Sequence, residues 1–288
     1  MELTHLASGV DPLFEGPWGL QPPGSPPREG WSGFEFLANY EGGWQELFPN
    51  VGDPGSYRGE EIPFHGEVAT LPWEVEERDG ALACSVRCER TPFRLERTMS
   101  VQGSTLVLDE RITNEGDQSG HFVWGHHCVV GPPFLEAGCR FRAPVRTIET
   151  IPDLWEETAR LDPGQSEPWP NARLRAHGTV DLSHVPGPEI RTHDDVYLTD
   201  LEAGWAAVEN ERLGLTFRLE FDHALFRWLI SWQPYGGADA MPLRGSYALG
   251  LEPWTTRLNL EHAVAAGQAT ELPAGGALDT IVRATIHG

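Results

Sequence analysis

Apolar and polar residues alternate with a period of two along most of the chain from Phe34 onward. The segments ACSVRCE, FRLERTMS, TLVLDERITN and HFVWGHHCVV follow one another, separated by Gly, Asp, Asn and Pro. Arg and Glu take the outward positions, so the pattern predicts half-buried antiparallel strands. It resumes at DVYLTDL, GWAAVEN, LTFRLEFD, LFRWLISW and SYALGLEPW, and GALDTIVRATIHG alternates again at the end. Residues 144–190 are looser and rich in proline, with one helical turn expected at PDLWEETARL. No segment holds a helical period over about fifteen residues, and no repeat or linker divides the chain. The expectation is an all-β fold, a large antiparallel β-sandwich of two sheets forming one domain over residues 34–288. An irregular Gly/Pro-rich arm, residues 1–33, precedes it.

Composition narrows the chemistry. In 288 residues, 40% hydrophobic and 22% charged side chains suffice for a packed core. The formal charge of −22 repels phosphate backbones and anionic lipid, which excludes nucleic acid and membrane surfaces as expected partners and favours neutral ligands such as sugars. All 21 basic residues are arginine. Without lysine there is no Schiff-base or pyridoxal-phosphate chemistry on a lysine, and no P-loop. Cys84, Cys88, Cys128 and Cys139 form no CxxC pair; Cys84 and Cys88 would lie about 13 Å apart at strand rise, too far to bridge. They read as reduced thiols of a cytoplasmic protein. MELTHLASGV has neither the basic nor the apolar part of a signal peptide, and HALFRWLISW is too short to span a bilayer. Eleven tryptophans are a high count. Most belong to the core, but some, with Trp232 as the candidate, suit the apolar face of a sugar ring.

Titratable residues gather where strands meet turns. They are His65 in EEIPFHGEVATLPWEV, the pair His126–His127 in VWGHHCVVGPPF, Asp194–Asp195 in THDDVYLTD, and Glu252 in YALGLEPWTT. Each has a structural reading: His65 and the aspartates as turn formers, one of the two histidines as a packed residue. Adjacent strand residues point to opposite faces, so only one of His126 and His127 can enter a given pocket. Glu252, before Pro253 and near Trp254, is placed at the end of its strand, partly desolvated, with either a partner or a raised pKa. No HxH, HExxH or structural zinc spacing occurs, so no metal is expected, and no GxSxG supports a serine nucleophile. Asp194 and Glu252 keep a two-carboxylate glycosidase open.

The motifs in their order resemble the galactose mutarotase-like superfamily, and within it the aldose 1-epimerases. GGWQELFPN followed by PFHGEVATLPWEV is similar to that family's GG…P…HG…W segment. ERITNEGD with VWGHHCVVG resembles its N-x-x-D strand and the strand of its second histidine, HDDVYL its D-x-x-Y/F turn, and GLEPW its Glu-Pro strand. The resemblance implies a supersandwich with a concave sugar cleft and a cofactor-free mutarotase. It implies Glu252 as the base on the C1 hydroxyl and His127 as the acid on the ring oxygen, with His65 beside that oxygen. Asp194 is implied to grip hydroxyls, and Arg58 and His126 are the further candidates for substrate contact. An ionised Glu252 and a protonated His127 are expected to stabilise each other. HHCVV departs from the family's HPxF, and no arginine cluster for a hexose 6-phosphate stands near the motifs. A binding-only relative on the same fold and a hexose-6-phosphate epimerase are the alternatives. The expected partner is a small sugar, with the chain a monomer or homodimer.

Overall fold

The computed structural model of the chain describes residues 3–22, Ser25, Arg28 and 32–288. Two eight-stranded antiparallel sheets carry the fold. The first runs Trp44–Leu47, Gly125–Val130, Glu252–Trp254, Trp228–Tyr235, Thr192–Thr199, Thr147–Thr150 and Ser166–Pro168, with Leu249–Gly250 also paired to Gly125–Val130. The second runs Arg140–Arg142, Trp205–Asn210, Leu215–Glu220, Ala277–His287, Thr105–Asn114, Phe93–Gln102, Ala81–Arg87 and Glu74–Arg78. Cys128, Val130, Val196 and Leu229 of the first sheet share one buried cluster with Leu95, Leu108, Phe217 and Val282 of the second. Their side chains are the inward members of the alternating runs. Burying them removes apolar area from water at roughly 25 cal/mol per Å2.

Every residue of Gly125–Val130 is buried, because this strand is covered on both faces. Its second cover is an apolar layer outside the first sheet, containing Phe14, Phe36, Tyr40, Val51, Trp254 and Leu260. Part of that cover is the N-terminal segment, whose Phe14 N–H donates to Val129 O at 2.9 Å. Two short helices complete it, Glu35–Ala38 and Leu260–Ala265. The second is capped by Asn259, whose side chain accepts from the His262 N–H at 3.0 Å.

Three local expectations are corrected. PDLWEETARL is an irregular loop, because the Arg160 and Leu161 N–H groups donate to the Asp194 carboxylate instead of to a helical turn. HFVWGHHCVV is two strands, Gly120–Phe122 and Gly125–Val130; the Trp124 N–H between them donates to Thr255 Oγ1 at 3.0 Å. Glu252 begins its strand rather than ending it. Leu251 donates its N–H to Cys128 O at 2.7 Å, and pairing to Trp228–Tyr235 starts at Glu252.

The pleat sends His126 into the space between the sheets, away from any outer cleft, so it is not placed to touch a substrate there. Its Nε2 faces Glu110 Oε2 at 3.2 Å, and its Nδ1 faces Glu46 Oε2 at 3.5 Å and accepts from the Trp44 indole N–H at 3.2 Å. Arg97 reaches Glu46 Oε2 at 3.1 Å and Glu110 Oε1 at 3.6 Å. The ligand atoms of Glu46, Glu110 and His126 lie within 4.8 Å of one another. The guanidinium already stands against both carboxylates, however, and supplies the counter-charge a cation would bring. Burial lowers the affinity of His126 for a proton, but Glu46 and Glu110 outweigh it and raise its pKa. Burial alone would lift Glu110, yet His126 and Arg97 bring it below the usual value. Burial, with Glu110, lifts Glu46 to about 7. This group joins Arg97 and Glu110 of one sheet to Glu46 and His126 of the other.

The linkage has a defined sign. Glu46 and His126, with raised folded values, stabilise the fold fully at acid pH and lose that contribution as pH rises through about 7 for Glu46 and past the ordinary imidazole value for His126. Glu110, with a lowered value, acts in the opposite sense below the ordinary carboxylate range. Thermal unfolding of the wild type therefore gives a Tm with a Glu46-dependent fall between about pH 5 and pH 7, and Glu46→Gln flattens that fall. An equally steep fall in the variant would show that Glu46 does not titrate in this range.

Candidate active site

A cavity of about 520 Å3 opens on the outer face of the first sheet, within the range that accepts small organic ligands. Its floor is built from neighbouring strands. His127 is the outward partner of His126 on Gly125–Val130, and Glu252 starts the next strand; His127 Nε2 lies 3.6 Å from Glu252 Oε1. Gly250 makes this possible, since a Cβ there would collide with that same carboxylate oxygen and with Trp232. His65 joins them from a turn. Its backbone is left-handed, φ 62, and Gly66 follows at φ 79, where a Cβ would strike the Phe48 carbonyl. The His65 Nδ1 accepts from the Gly52 N–H at 3.1 Å, which leaves Nε2 as the N–H donor of the ring. The His65 and His127 rings are 5.6 Å apart.

Burial sets the protonation of this floor. Desolvation, helped by Asp195, lifts Glu252 well above the usual carboxylate range; the Trp254 indole opposes this weakly. Desolvation pushes His127 down to about 3, and desolvation together with His127 holds His65 well below the usual imidazole value. Both shifts favour the uncharged forms of the pair, against the expected ion pair, because burial withholds the water that ionisation requires.

The aspartates exchange places relative to expectation. Thr192–Thr199 turns Asp194 away from the cavity, where Arg160 Nε donates to it at 2.7 Å and the Arg160 and Leu161 N–H groups donate at 2.8 and 3.1 Å. Asp195 lines the cavity, and burial pushes its carboxyl up to about 7. Arg58 is elsewhere too, in an exposed hairpin turn between Gly55–Tyr57 and Glu60–Ile62, donating to the Ser119 carbonyl. The arginine at the cavity is Arg257, which stacks over Trp228 at 5.4 Å and pairs with Glu149 at 3.6 Å. Trp232 is in the wall as the sequence reading placed it. Its indole N–H donates to His193 Nε2 at 2.7 Å, and the other ring nitrogen of His193 contacts Glu156.

Five buried polar atoms around this floor have no hydrogen-bond partner: Glu252 Oε1, His127 Nδ1, Asp195 Oδ1, Tyr40 Oη and Trp254 Nε1. Such atoms cost about 1–3 kcal/mol each until a ligand or water meets them. Sequence reasoning missed Tyr40, His193 and Arg257. His193 opens the HDDVYL motif but is passed over for the aspartates after it; Tyr40 and Arg257 stand in no motif, and Tyr40 reaches the floor because the segment before the first sheet strand folds over it.

Several solved structures that share this fold are named galactose mutarotase-like or aldose 1-epimerase. The Slr1438 protein from Synechocystis sp. PCC 6803 superposes with a TM-score of 0.67 at 20% identity, over 96% of this chain and 85% of that one. A galactose mutarotase-like protein from Lactobacillus casei ATCC 334 gives 0.64 at 16% identity, over 99% and 92%. A protein described as a candidate aldose 1-epimerase from Klebsiella pneumoniae subsp. pneumoniae MGH 78578 gives 0.67 at 18% identity, over 90% and 66%. The class is thus that of the galactose mutarotase-like β-sandwich. By sequence, residues 22–286 match the family described as Domain of unknown function (DUF4432), and the chain belongs to that family. No curated protein matches it. Among the described residues no helix is long and apolar enough to cross a membrane.

The two aspartates separate cleanly by experiment. Asp194→Asn leaves Arg160 short of its carboxylate and lowers stability by about 3 kcal/mol, whereas Asp195→Asn removes a carboxyl with no charged partner and leaves the denaturant midpoint unchanged or higher. Chemical denaturation of both variants at pH 7.5 checks this. A loss confined to Asp195→Asn would reverse the assignment.

Proposed function

We propose that the protein is a cofactor-free aldose 1-epimerase that interconverts the anomers of an unphosphorylated sugar. The observation that carries this reading is the His127–Glu252 pair at 3.6 Å on the floor of a cavity, ringed by unpartnered donors and acceptors. A pyranose offers hydroxyls that both donate and accept, which suits such a set. The galactose mutarotase-like fold of the solved structures agrees with it.

Anomer exchange requires one proton delivered to the ring oxygen and one taken from the C1 hydroxyl. The pair holds one dissociable proton in total. From the neutral state Glu252 gives its proton and His127 accepts the other; from the ion-pair tautomer Glu252 is the base and His127 the acid. The C1–O5 bond breaks, the aldehyde rotates about C1–C2, and closure on the other face returns both protons. His65, with its N–H on Nε2, supports the oxygen that changes charge. Arg257 is spent on Glu149 and two aromatic rings, which leaves no arginine cluster for a phosphate.

Glu252→Gln and His127→Asn each lower kcat/KM for anomer exchange at least about 100-fold with the fold retained, measured by exchange NMR on freshly dissolved aldoses. A wild-type rate equal to buffer across the panel, with calorimetric binding intact, would make the protein a sugar-binding module instead. Because His127 is held near 3, the wild-type kcat/KM profile shows no imidazole limb close to pH 6.5.

A further inference from the structure

The floor of the cavity is polar, but its sides are not. On one side stand Phe36, Leu37 and Phe64, delivered by the helix Glu35–Ala38 and the turn before His65. Facing the cavity from the loops after Thr147–Thr150 and Trp228–Tyr235 are Ile151, Trp155 and Leu243. Those loops are tied to each other, since the Asp239 N–H donates to Glu156 Oε1 at 2.9 Å and Thr158 Oγ1 donates to Gly237 O at 2.8 Å. They carry Leu154, Trp155 and Met241, three apolar side chains 44–51% exposed. The remaining polar residues of the lining are Arg257, Asn259, Tyr197, Asp53 and His262, besides those of the floor and its His193 neighbour. Arg257 pairs with Glu149, and Asn259 spends its amide on Pro54 O and its oxygen on the His262 N–H. Asp53 and His262 are exposed and Tyr197 is half-buried.

A hexopyranose carries five hydroxyls. The unpartnered atoms of the floor can serve those around C1, C2 and the ring oxygen. A hydroxyl turned toward the half-buried Phe64, Leu37 or Leu243 gives up part of its water and gains no partner from them, which is unfavourable. A methyl or methylene in the same position gains from burial. We infer that the sugar taken by this site is an aldose of reduced hydroxylation, a deoxy or O-alkylated pyranose, with its apolar edge against these walls. The inference rests on the sugar-binding reading of the cavity and adds the class of sugar. An apolar pocket rejects an added hydroxyl only weakly, by up to about 100-fold, so the fully hydroxylated parent is a poorer substrate rather than an excluded one.

The test compares matched pairs: D-glucose with 6-deoxy-D-glucose and with 3-O-methyl-D-glucose, and D-galactose with 6-deoxy-D-galactose. Exchange NMR gives kcat/KM and calorimetry gives Kd for each. The expected result is a preference of about 10- to 100-fold for at least one less hydroxylated member of a pair, reduced several-fold toward the parent sugar in Leu243→Asn. Leu243 is only partly buried, so that substitution leaves the core intact. Equal or better performance of every parent sugar overturns the inference while leaving anomer exchange standing. A Kd preference without accelerated exchange keeps the sugar class and removes the epimerase. No binding of any member at millimolar concentration overturns both.

Discussion

The pleat of one fully buried strand, Gly125–Val130, governs both halves of this molecule. It drives two adjacent imidazoles into opposite environments, each with almost no water. His126 meets two carboxylates and keeps its affinity for a proton; His127 meets aromatic rings and a protonated acid and loses it. The local chain is the same, so the opposite shifts arise from what is packed against each face. Desolvation is paid in full at both sites, and only one receives compensating charge.

The outer cover turns a sheet face into a reaction vessel. Without Phe14, the helix Glu35–Ala38 and the helix Leu260–Ala265, the floor carrying His127 and Glu252 would lie in water and titrate near ordinary values. Once it is covered, burial shifts both groups toward their uncharged forms. The same cover brings hydrocarbon to the sides of the cavity. The floor draws its acid–base groups mainly from strand residues of the sheet and the His65 turn, whereas much of the hydrocarbon at the sides comes from loops and short helices. Such segments vary without disturbing the sandwich, and a shared fold with the mutarotase-like proteins is therefore compatible with its own choice of ligand.

Much of the architecture could be read directly from the chain. TLVLDERITN is the strand Thr105–Asn114 and GALDTIVRATIHG contains Ala277–His287, because period-two alternation reports a face and needs no partner to be recognised. The turn at His65 and the desolvation of Glu252 were also legible, from Gly66 and from the apolar strand around it. Less accessible were facts of facing. Asp194 and Asp195 are interchangeable in a period-two pattern until something defines the inner side, and Arg160, thirty-four residues away, claims Asp194. Arg58 lies near His65 in sequence, but the hairpin turns it out to solvent. Tyr40 and Arg257 belong to no alternating motif, and the partners of His193, Trp232 and Glu156, come from segments that meet only after folding.

Local alternation and turn chemistry thus established a β-sandwich and the residue types able to handle protons. Long-range packing decided which of two neighbours faces the ligand, which groups are charged, and where hydrocarbon meets the cavity. The reason is one of scale: a strand's periodicity is encoded within a few residues, whereas burial and electrostatic environment are sums over atoms that the sequence places hundreds of residues apart.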